Sequence, residues 1–540
     1  MTRAALALLA ACTPAIAQDA PGRDDWWRDA VFYEVFVRSF ADSTAGPLAG
    51  DGVGDIPGLI ERLDELNDGK PGGDDLGVTA LWLMPIAQSP SYHGYDVADY
   101  YNVDDEYGTN DDFKRLIDAC EHRGMRVIID LVLNHCSSEN AWFVEARDPD
   151  SPKHDWFVWR DAVPDWKNNL HMWHPVGDND TGPYYYGFFW KGMPDLNFDN
   201  PFVGLAAYDI SRHWFEDLGA HGFRLDAIRH LIERGETVAS TPETIAWLTG
   251  YHAYLKSINP GCFSVGEIWG PTSEVRRYIP DALDSAFEFQ LAETIVAGVN
   301  SGDPKALAEH IEHLNEAYDN APFSTFLTNH DMDRLMSQLG GPSDEAIARN
   351  KLAASILLTL PGTPFLYYGE EIGMTGVKPD EDIRTPMQWT PDPMKAGFTT
   401  GDPWRKVNNN TADINIAAQK NDPDSLWRHY RDLIELRLGS DALRRGETEV
   451  VETDNNDLLV FRRALPREEI LVLVNLTDRP IREFGIDLEG LQSGRLVRSR
   501  VLFGNARSRS SRANDEGGLN DWQPVTRIGP RDVVVVRVIR

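Results

Sequence analysis

From Val31 onward, short β-branched and aromatic runs alternate with longer stretches whose apolar positions follow a helical period. The runs Val31–Val37, Val78–Met84, Arg126–Val132, Gly222–Ala227, Phe263–Ile268, Asp284–Phe289, Phe323–Thr328 and Thr363–Tyr368 are read as strands. Between them, Asp111–His122, Val203–Leu218, Pro242–Ser257, Pro304–Tyr318 and Asp344–Leu360 are read as helices. Eight strands alternating with helices predict an α/β fold, the (β/α)8 TIM barrel, whose strand C-termini line the functional site.

Two segments break the alternation. His135 to Asn197 is too long for a simple connection and holds Trp156, Trp159, Trp166, Trp173, Trp190 and Tyr184-Tyr185-Tyr186. It is read as an inserted loop-rich domain after the third strand, spanning 135–196; its rings either form a small core or stack on a flat apolar ligand face. After an amphipathic helix near Leu426–Leu438, the runs Leu458–Phe461, Ile470–Val474 and Val533–Val536 predict a C-terminal antiparallel β-sandwich over 444–540. The barrel would then occupy 25–134 and 197–443, and no internal repeat or low-complexity segment is evident.

Composition narrows the class. The 540 residues, 42% hydrophobic with 16 Trp, suffice for a large barrel plus a smaller module. A net charge of −33 argues against nucleic acid or anionic membrane as partner and suits a neutral substrate, although a solvated acidic surface explains it equally well. Met1-Thr-Arg3, an apolar stretch from Ala4 to Ala11 and Ala15-Ile-Ala17 read as an export signal over 1–17, the other reading being a frayed first helix. Leu9-Ala-Ala-Cys12 resembles a bacterial lipoprotein processing site, which would put a lipid on Cys12. Export, periplasmic or extracellular, is the expectation, and no stretch is apolar enough to span a membrane. Cys120, Cys136 and Cys262 lack metal-ligand spacing and are expected to be small buried hydrophobes.

Four patches place charge directly after apolar β runs: Asp130-Leu-Val-Leu-Asn134-His135, Gly222-Phe-Arg224-Leu-Asp226-Ala-Ile-Arg229-His230, Val265-Gly-Glu267-Ile-Trp269 and Phe326-Leu-Thr-Asn329-His330-Asp331. Charge at the end of a buried strand is costly unless paired or working. A retaining glycosidase needs a carboxylate nucleophile and a protonated acid roughly 5–5.5 Å apart, with electrostatic support for an oxocarbenium-like transition state. Asp226 follows Arg224 by two residues, so both face one side of a strand, and the guanidinium would keep Asp226 ionised. Glu267, beside Gly266 between Val265 and Trp269, has the apolar setting that raises a carboxyl toward general-acid use.

On these patches, in this order, and on Met193-Pro-Asp-Leu-Asn197, the chain resembles the α-amylase family, glycoside hydrolase family 13, from about Asp24 to the C-terminus. The resemblance implies Asp226 as nucleophile, Glu267 as acid/base and Asp331 as transition-state stabiliser. It implies Tyr95 as the ring stacked on the sugar before the cleaved bond, with His135, Arg224 and His330 as further contacts there. Arg229 and His230 match a basic pair that meets the glucose beyond that bond. Relatives carry a calcium loop ending in the Asp51-Gly-Val53-Gly-Asp55 pattern, so Asp42, Asp51, the Val53 carbonyl and Asp55 are candidate Ca²⁺ ligands; an acidic surface turn is the other reading. The sequence departs from that loop by extra residues between Asp42 and Asp51 and by lacking its usual asparagine. No organic cofactor is implied.

Flanking residues bear on specificity by the same resemblance. Ala227 stands where enzymes preferring α-1,6 bonds carry valine, and Tyr92 where many exo-acting α-glucosidases carry an aspartate. Tyr367-Tyr-Gly-Glu-Glu371 and Arg384-Thr-Pro-Met-Gln-Trp389 look like the group intermediate between oligo-1,6-glucosidases and neopullulanases. The expectation is a retaining hydrolase of α-1,4 bonds in starch fragments and maltooligosaccharides, with transglycosylation as a second activity. An α-glucosidase, glucanotransferase or sucrose- or maltose-converting enzyme is the alternative within the family. A non-catalytic binding or interaction module is the alternative outside it.

Overall fold

The computed structural model describes residues 24–166, 171–177 and 182–540; the expected export signal and Cys12 lie outside the described residues. Eight parallel strands form one sheet: β1 (Phe32–Val35), β2 (Ala80–Leu83), β3 (Arg126–Val132), β4 (Gly222–Asp226), β5 (Phe263–Gly266), β6 (Ser285–Ala286), β7 (Ser324–Thr325) and β8 (Thr363–Tyr367). Their spatial order is β6-β5-β4-β3-β2-β1-β8-β7, and a parallel bridge from Phe287 to Ser324 closes the ring between β6 and β7.

The helices around it start where local chemistry tells them to. Helix α1 (Asn110–Glu121) opens with a reciprocal capping box between Thr109 and Asp112. Helices α2 (Pro201–Arg212) and α3 (Pro242–Ile258) each pair a side-chain cap, Asn200 or Thr241, with proline in the first turn. Helix α4 (Phe289–Ser301) ends on left-handed Gly302. Helices α5 (Lys305–Tyr318), α6 (Asp344–Thr359) and α7 (Leu426–Leu438) complete the long ones, with Ser343 and Ser425 capping α6 and α7. The stretch read as one helix over 203–218 leaves the α geometry at His213 and finishes as a π-helical turn to Asp217.

Two predicted strands are shorter than their apolar runs. β6 stops at Ala286 because Glu288 N–H donates to the Ser324 carbonyl and the chain turns into α4. β7 stops at Thr325, after which side chains satisfy the backbone: the Arg384 guanidinium donates to the His330 carbonyl, and the Asn329 amide oxygen accepts from Asp331 N–H. The Asn329-His330-Asp331 trio therefore sits in a loop beyond β7 and not at a strand end.

Residues 135–196 carry a three-stranded sheet of Trp159–Arg160, Tyr184–Tyr186 and Trp173–Pro175 over the barrel mouth. Met172, Trp173 and Tyr186 form a small core there, so many of the aromatic rings serve packing. At the C-terminus, β9 (Glu447–Val450), β10 (Leu458–Leu465), β11 (Glu468–Asn475), β12 (Leu496–Phe503), β13 (Ser510–Arg512) and β14 (Asp532–Ile539) form an antiparallel sheet in the order β9-β10-β11-β14-β12-β13. Strand alternation gives it two apolar faces: Phe461, Val472 and Val535 join the main core, whereas Val460, Leu473 and Val534 pack on a second pair of strands, Ile486–Leu488 and Leu519–Trp522. Cys120, Cys136 and Cys262 are buried free thiols. Among the described residues, no helix is long and apolar enough to cross a membrane.

Candidate active site

The pleat sorts the barrel interior into two layers. Phe32, Ala80, Trp82, Ile128, Phe263, Val265, Phe287, Phe326 and Phe365 form an apolar floor. Two residues further along β1 and β3 the same columns carry Glu34 and Asp130; β4 adds Arg224 and Asp226, and Glu267 directly follows β5. Register brings these columns together, with Asp130 opposite Arg224 and Arg224 opposite Val265. A charged layer thus rests on an apolar one at the C-terminal mouth of the barrel.

Arg224 organises that layer. It is 1% exposed. Its Nη1 donates to both oxygens of Asp130 at 2.8 and 2.9 Å and to Asp226 at 2.7 Å, while Nη2 lies 2.9 Å from Glu267 Oε2. One guanidinium fork therefore ties the carboxyls of three neighbouring strands. Ala227, in the left-handed region at φ 48°, turns its own N–H onto Glu267 Oε2 at 3.1 Å. Burial pushes Asp226 above the ordinary carboxylate range and outweighs the charge of Arg224. Against that rise, the charge and hydrogen bond of Arg224 pull Asp226 toward the ionised form, the direction expected of the pair. Burial, opposed by Arg224 and reinforced by Asp226 and Asp331, also raises Glu267.

Asp331 sits in the opposite environment. Burial would raise it, but the charge and hydrogen bond of His330 and the charge of Arg384 hold it well below the usual range. His330 Nε2 is 3.2 Å from Asp331 Oδ2, and Arg384 Nη2 donates to Oδ1 at 2.8 Å. His330 is fully buried; its Nδ1 faces Glu34 Oε1 at 2.5 Å, and its ring stacks on Tyr95 with centroids 5.4 Å apart. The Tyr95 hydroxyl donates to Asp130 Oδ2 at 3.0 Å and meets His330 Nε2 at 2.5 Å. Two of the acids at the mouth are raised and Asp331 is depressed, so Asp331 is the carboxylate most firmly held ionised.

The remaining candidates line the rim. His135 is buried, its Nε2 against the Tyr95 carbonyl at 3.1 Å, and burial pushes it down to about 4. His230 stacks on Phe188 at 4.1 Å, with Nδ1 against the Val238 carbonyl at 2.6 Å. Arg229 is drawn onto the Trp269 carbonyl and to Glu274 at 3.1 Å. Phe189, 48% exposed, meets His135 and His230 edge-on, and Trp269, 43% exposed, lies flat on Phe289. Tyr92 stacks on Trp404 across the mouth.

The sequence gives Glu34 no place in the site, sets Asp130 at a site-lining strand end without assigning its partner, and offers Arg384 only as part of a subgroup motif. A single acid inside Val31-Phe-Tyr-Glu34-Val-Phe-Val37 was the available signal for Glu34. Arg384 lies in an irregular segment where no period marks a side.

The candidate calcium ligands are arranged otherwise. Asp42 accepts from Gly50 N–H at 2.8 Å, from Gly52 N–H at 3.0 Å and from the Thr399 hydroxyl. Asp55 caps the helix Ile56–Glu61 through Gly58 N–H at 2.7 Å and accepts from Ser43. Asp51 accepts from the N–H of Val53, itself the fourth candidate. These carboxyls close the loop on its own donors, and among the described residues no three acidic, histidine or cysteine side chains converge as a metal-ligand group. As arranged, they do not fit a calcium cage.

A closed (β/α)8 barrel with acids and one shared arginine at its strand C-termini has the architecture of a glycoside hydrolase. The chain belongs to the α-amylase family: residues 34–446 match the family model for the α-amylase catalytic domain. It is 41% identical to α-amylase 3 of Dictyoglomus thermophilum over 84% of this chain and 86% of that protein. It is 32% identical to an oligo-1,6-glucosidase of Heyndrickxia coagulans over 85% and 93%. The crystal structure of the α-amylase from H. orenii superposes with a TM-score of 0.80 at 36% identity, covering 94% of this chain and 99% of that one.

Proposed function

We propose that this glycoside hydrolase cleaves α-1,4-glucosidic bonds in maltooligosaccharides with retention of configuration. Glu267 protonates the leaving oxygen while Asp226 attacks the anomeric carbon. Glu267, now ionised and held by Arg224 and Ala227 N–H, takes a proton from water as water releases the glycosyl group from Asp226. Asp331, kept ionised between His330 and Arg384, stabilises the positive charge that develops on the sugar.

The observation that carries the α-1,4 reading is Ala227. Its backbone follows Asp226 through a left-handed turn and donates to Glu267, and its small side chain stands where, by the family resemblance, enzymes preferring α-1,6 bonds carry valine. Tyr92, stacked on Trp404 where by the resemblance many exo-acting α-glucosidases carry an aspartate, argues against strict exo-glucosidase action. The higher identity to the protein named α-amylase than to the oligo-1,6-glucosidase points the same way. Transglycosylation is a second activity favoured by exposed Phe189 and Trp269, which offer an acceptor sugar flat surface at the rim. Export with the signal of residues 1–17, or a lipid on Cys12, belongs to the same proposal, and mass spectrometry of the mature N-terminus decides it.

The test is a product profile on maltose, maltotetraose, isomaltose, sucrose and starch, with proton NMR of the first product. α-Maltooligosaccharide is expected first; a β-anomer, or faster cleavage of isomaltose than of maltose, refutes the proposal.

A further inference from the structure

Glu34 is a buried acid set against a buried histidine of the site. It is 1% exposed, at the end of β1, between Trp82 of β2 and Tyr367 of β8 in register. Its Oε1 lies 2.5 Å from His330 Nδ1. The other ring nitrogen, Nε2, meets two oxygens, Tyr95 Oη at 2.5 Å and Asp331 Oδ2 at 3.2 Å.

The hydrogens can be counted through this chain. The single hydrogen of Tyr95 is donated to Asp130 Oδ2 at 3.0 Å, so its oxygen is left to accept from His330 Nε2. Nδ1 faces a carboxyl oxygen and donates as well. A ring that donates from both nitrogens is an imidazolium. We propose that Glu34 is a positioning residue that holds His330 as a cation donating from both nitrogens, thereby fixing the Tyr95 ring and keeping Asp331 ionised for the reaction.

The surroundings agree in sign. Glu34 from β1, Asp130 from β3, Asp226 from β4 and Asp331 from the β7 loop face His330, and Arg224 and Arg384 are the opposing cations. Burial alone would push His330 down, but Asp331 and Glu34 outweigh it and raise it to about 9. The cation therefore persists through neutral pH and is lost as pH rises through about 9, while the stability it contributes is complete below the ordinary histidine value.

The inference deepens the hydrolase reading above and rests on it for its kinetic arm, but its spectroscopic arm needs no substrate. In the whole protein labelled with ¹⁵N-histidine, and with His330→Gln to assign the signal, the two ring nitrogens of His330 are followed from pH 6 to 10. Imidazolium shifts at pH 7.5 in the parent, replaced by neutral shifts in Glu34→Gln, are expected; a neutral ring in the parent overturns the inference, whether or not the variant folds. On maltotetraose at pH 7.5, Glu34→Gln should lower kcat at least roughly tenfold with a smaller change in KM, and Glu34→Asp, which restores the charge, should recover part of it. Unchanged kcat in Glu34→Gln, or Glu34→Asp no better than Glu34→Gln, overturns it too. If the parent cleaves no α-glucan, the functional proposal fails while the nitrogen shifts still decide the state of His330.

Discussion

Replacing Arg224 by lysine keeps the positive charge and removes the fork. The native guanidinium reaches Asp130 and Asp226 from Nη1 and Glu267 from Nη2, all at 2.7–2.9 Å. An ammonium is a point donor, so in the Asp130–Asp226 cleft it leaves Glu267 with Ala227 N–H alone. A hydrogen bond to a charged group contributes about 1.5–3 kcal/mol, and Glu267 carries charge as it gives up its proton in the transition state and while the glycosyl-enzyme persists. The loss therefore predicts a roughly 10- to 150-fold fall in kcat, and a similar 1.5–3 kcal/mol, about, in stability. Initial rates on maltotetraose and urea unfolding of the same preparation measure both. A lysine variant with kcat within threefold of the parent and unchanged stability would refute the view that one guanidinium organises the three acids.

Three further outcomes are expected. Ala227→Val puts a β-branched residue at φ 48° and should lower stability by about 1–3 kcal/mol while raising the ratio of isomaltose to maltose cleavage, read by urea melts and paired assays. Stability should fall by about 2–4 kcal/mol as pH rises toward and through 9, where His330 loses its proton; Asp331, depressed, loses its contribution only in strong acid, so His330→Gln should flatten the alkaline arm of a urea-stability profile. A chelator should leave the melting temperature unchanged, whereas Asp42→Ala should cost about 1–3 kcal/mol by orphaning the Gly50 and Gly52 N–H groups; a chelator-induced drop would show that a cation closes the loop after all.

The barrel was legible because parallel strands covered on both faces read as continuous apolar runs, and Phe263-Ser-Val265 or Val127-Ile-Ile-Asp130 can be little else at that length. Asp226 and Glu267 were legible because they interrupt such runs at the end where a site belongs. The ends of β6 and β7 were not, since an apolar run continues after the ladder stops and only Ser324 and Arg384, distant in sequence from the segments they meet, reveal where the backbone finds other partners. Glu34 and Arg384 were missed for a related reason. Their meaning lies in what they touch, His330 and Asp331, and no local period encodes a contact across about 300 or 50 residues of chain. The loop of Asp42 and Asp55 shows the converse: aspartates and glycines at ligand-like spacing serve equally well to satisfy backbone donors.

The charged layer on its apolar floor also bears on how the chain finds its alignment while folding. Sliding β4 by one residue against β3 would swing Arg224 and Asp226 out among the helix-facing leucines and valines and drop Phe223 and Leu225 among carboxyls. An all-apolar barrel would tolerate that slip, because its two faces look alike. Here the misaligned form strands several charges in hydrocarbon, so the residues that do chemistry also proofread strand pairing. Filling those positions with well-packed apolar side chains would then be expected to yield a protein that is harder to unfold yet less certain which barrel to be.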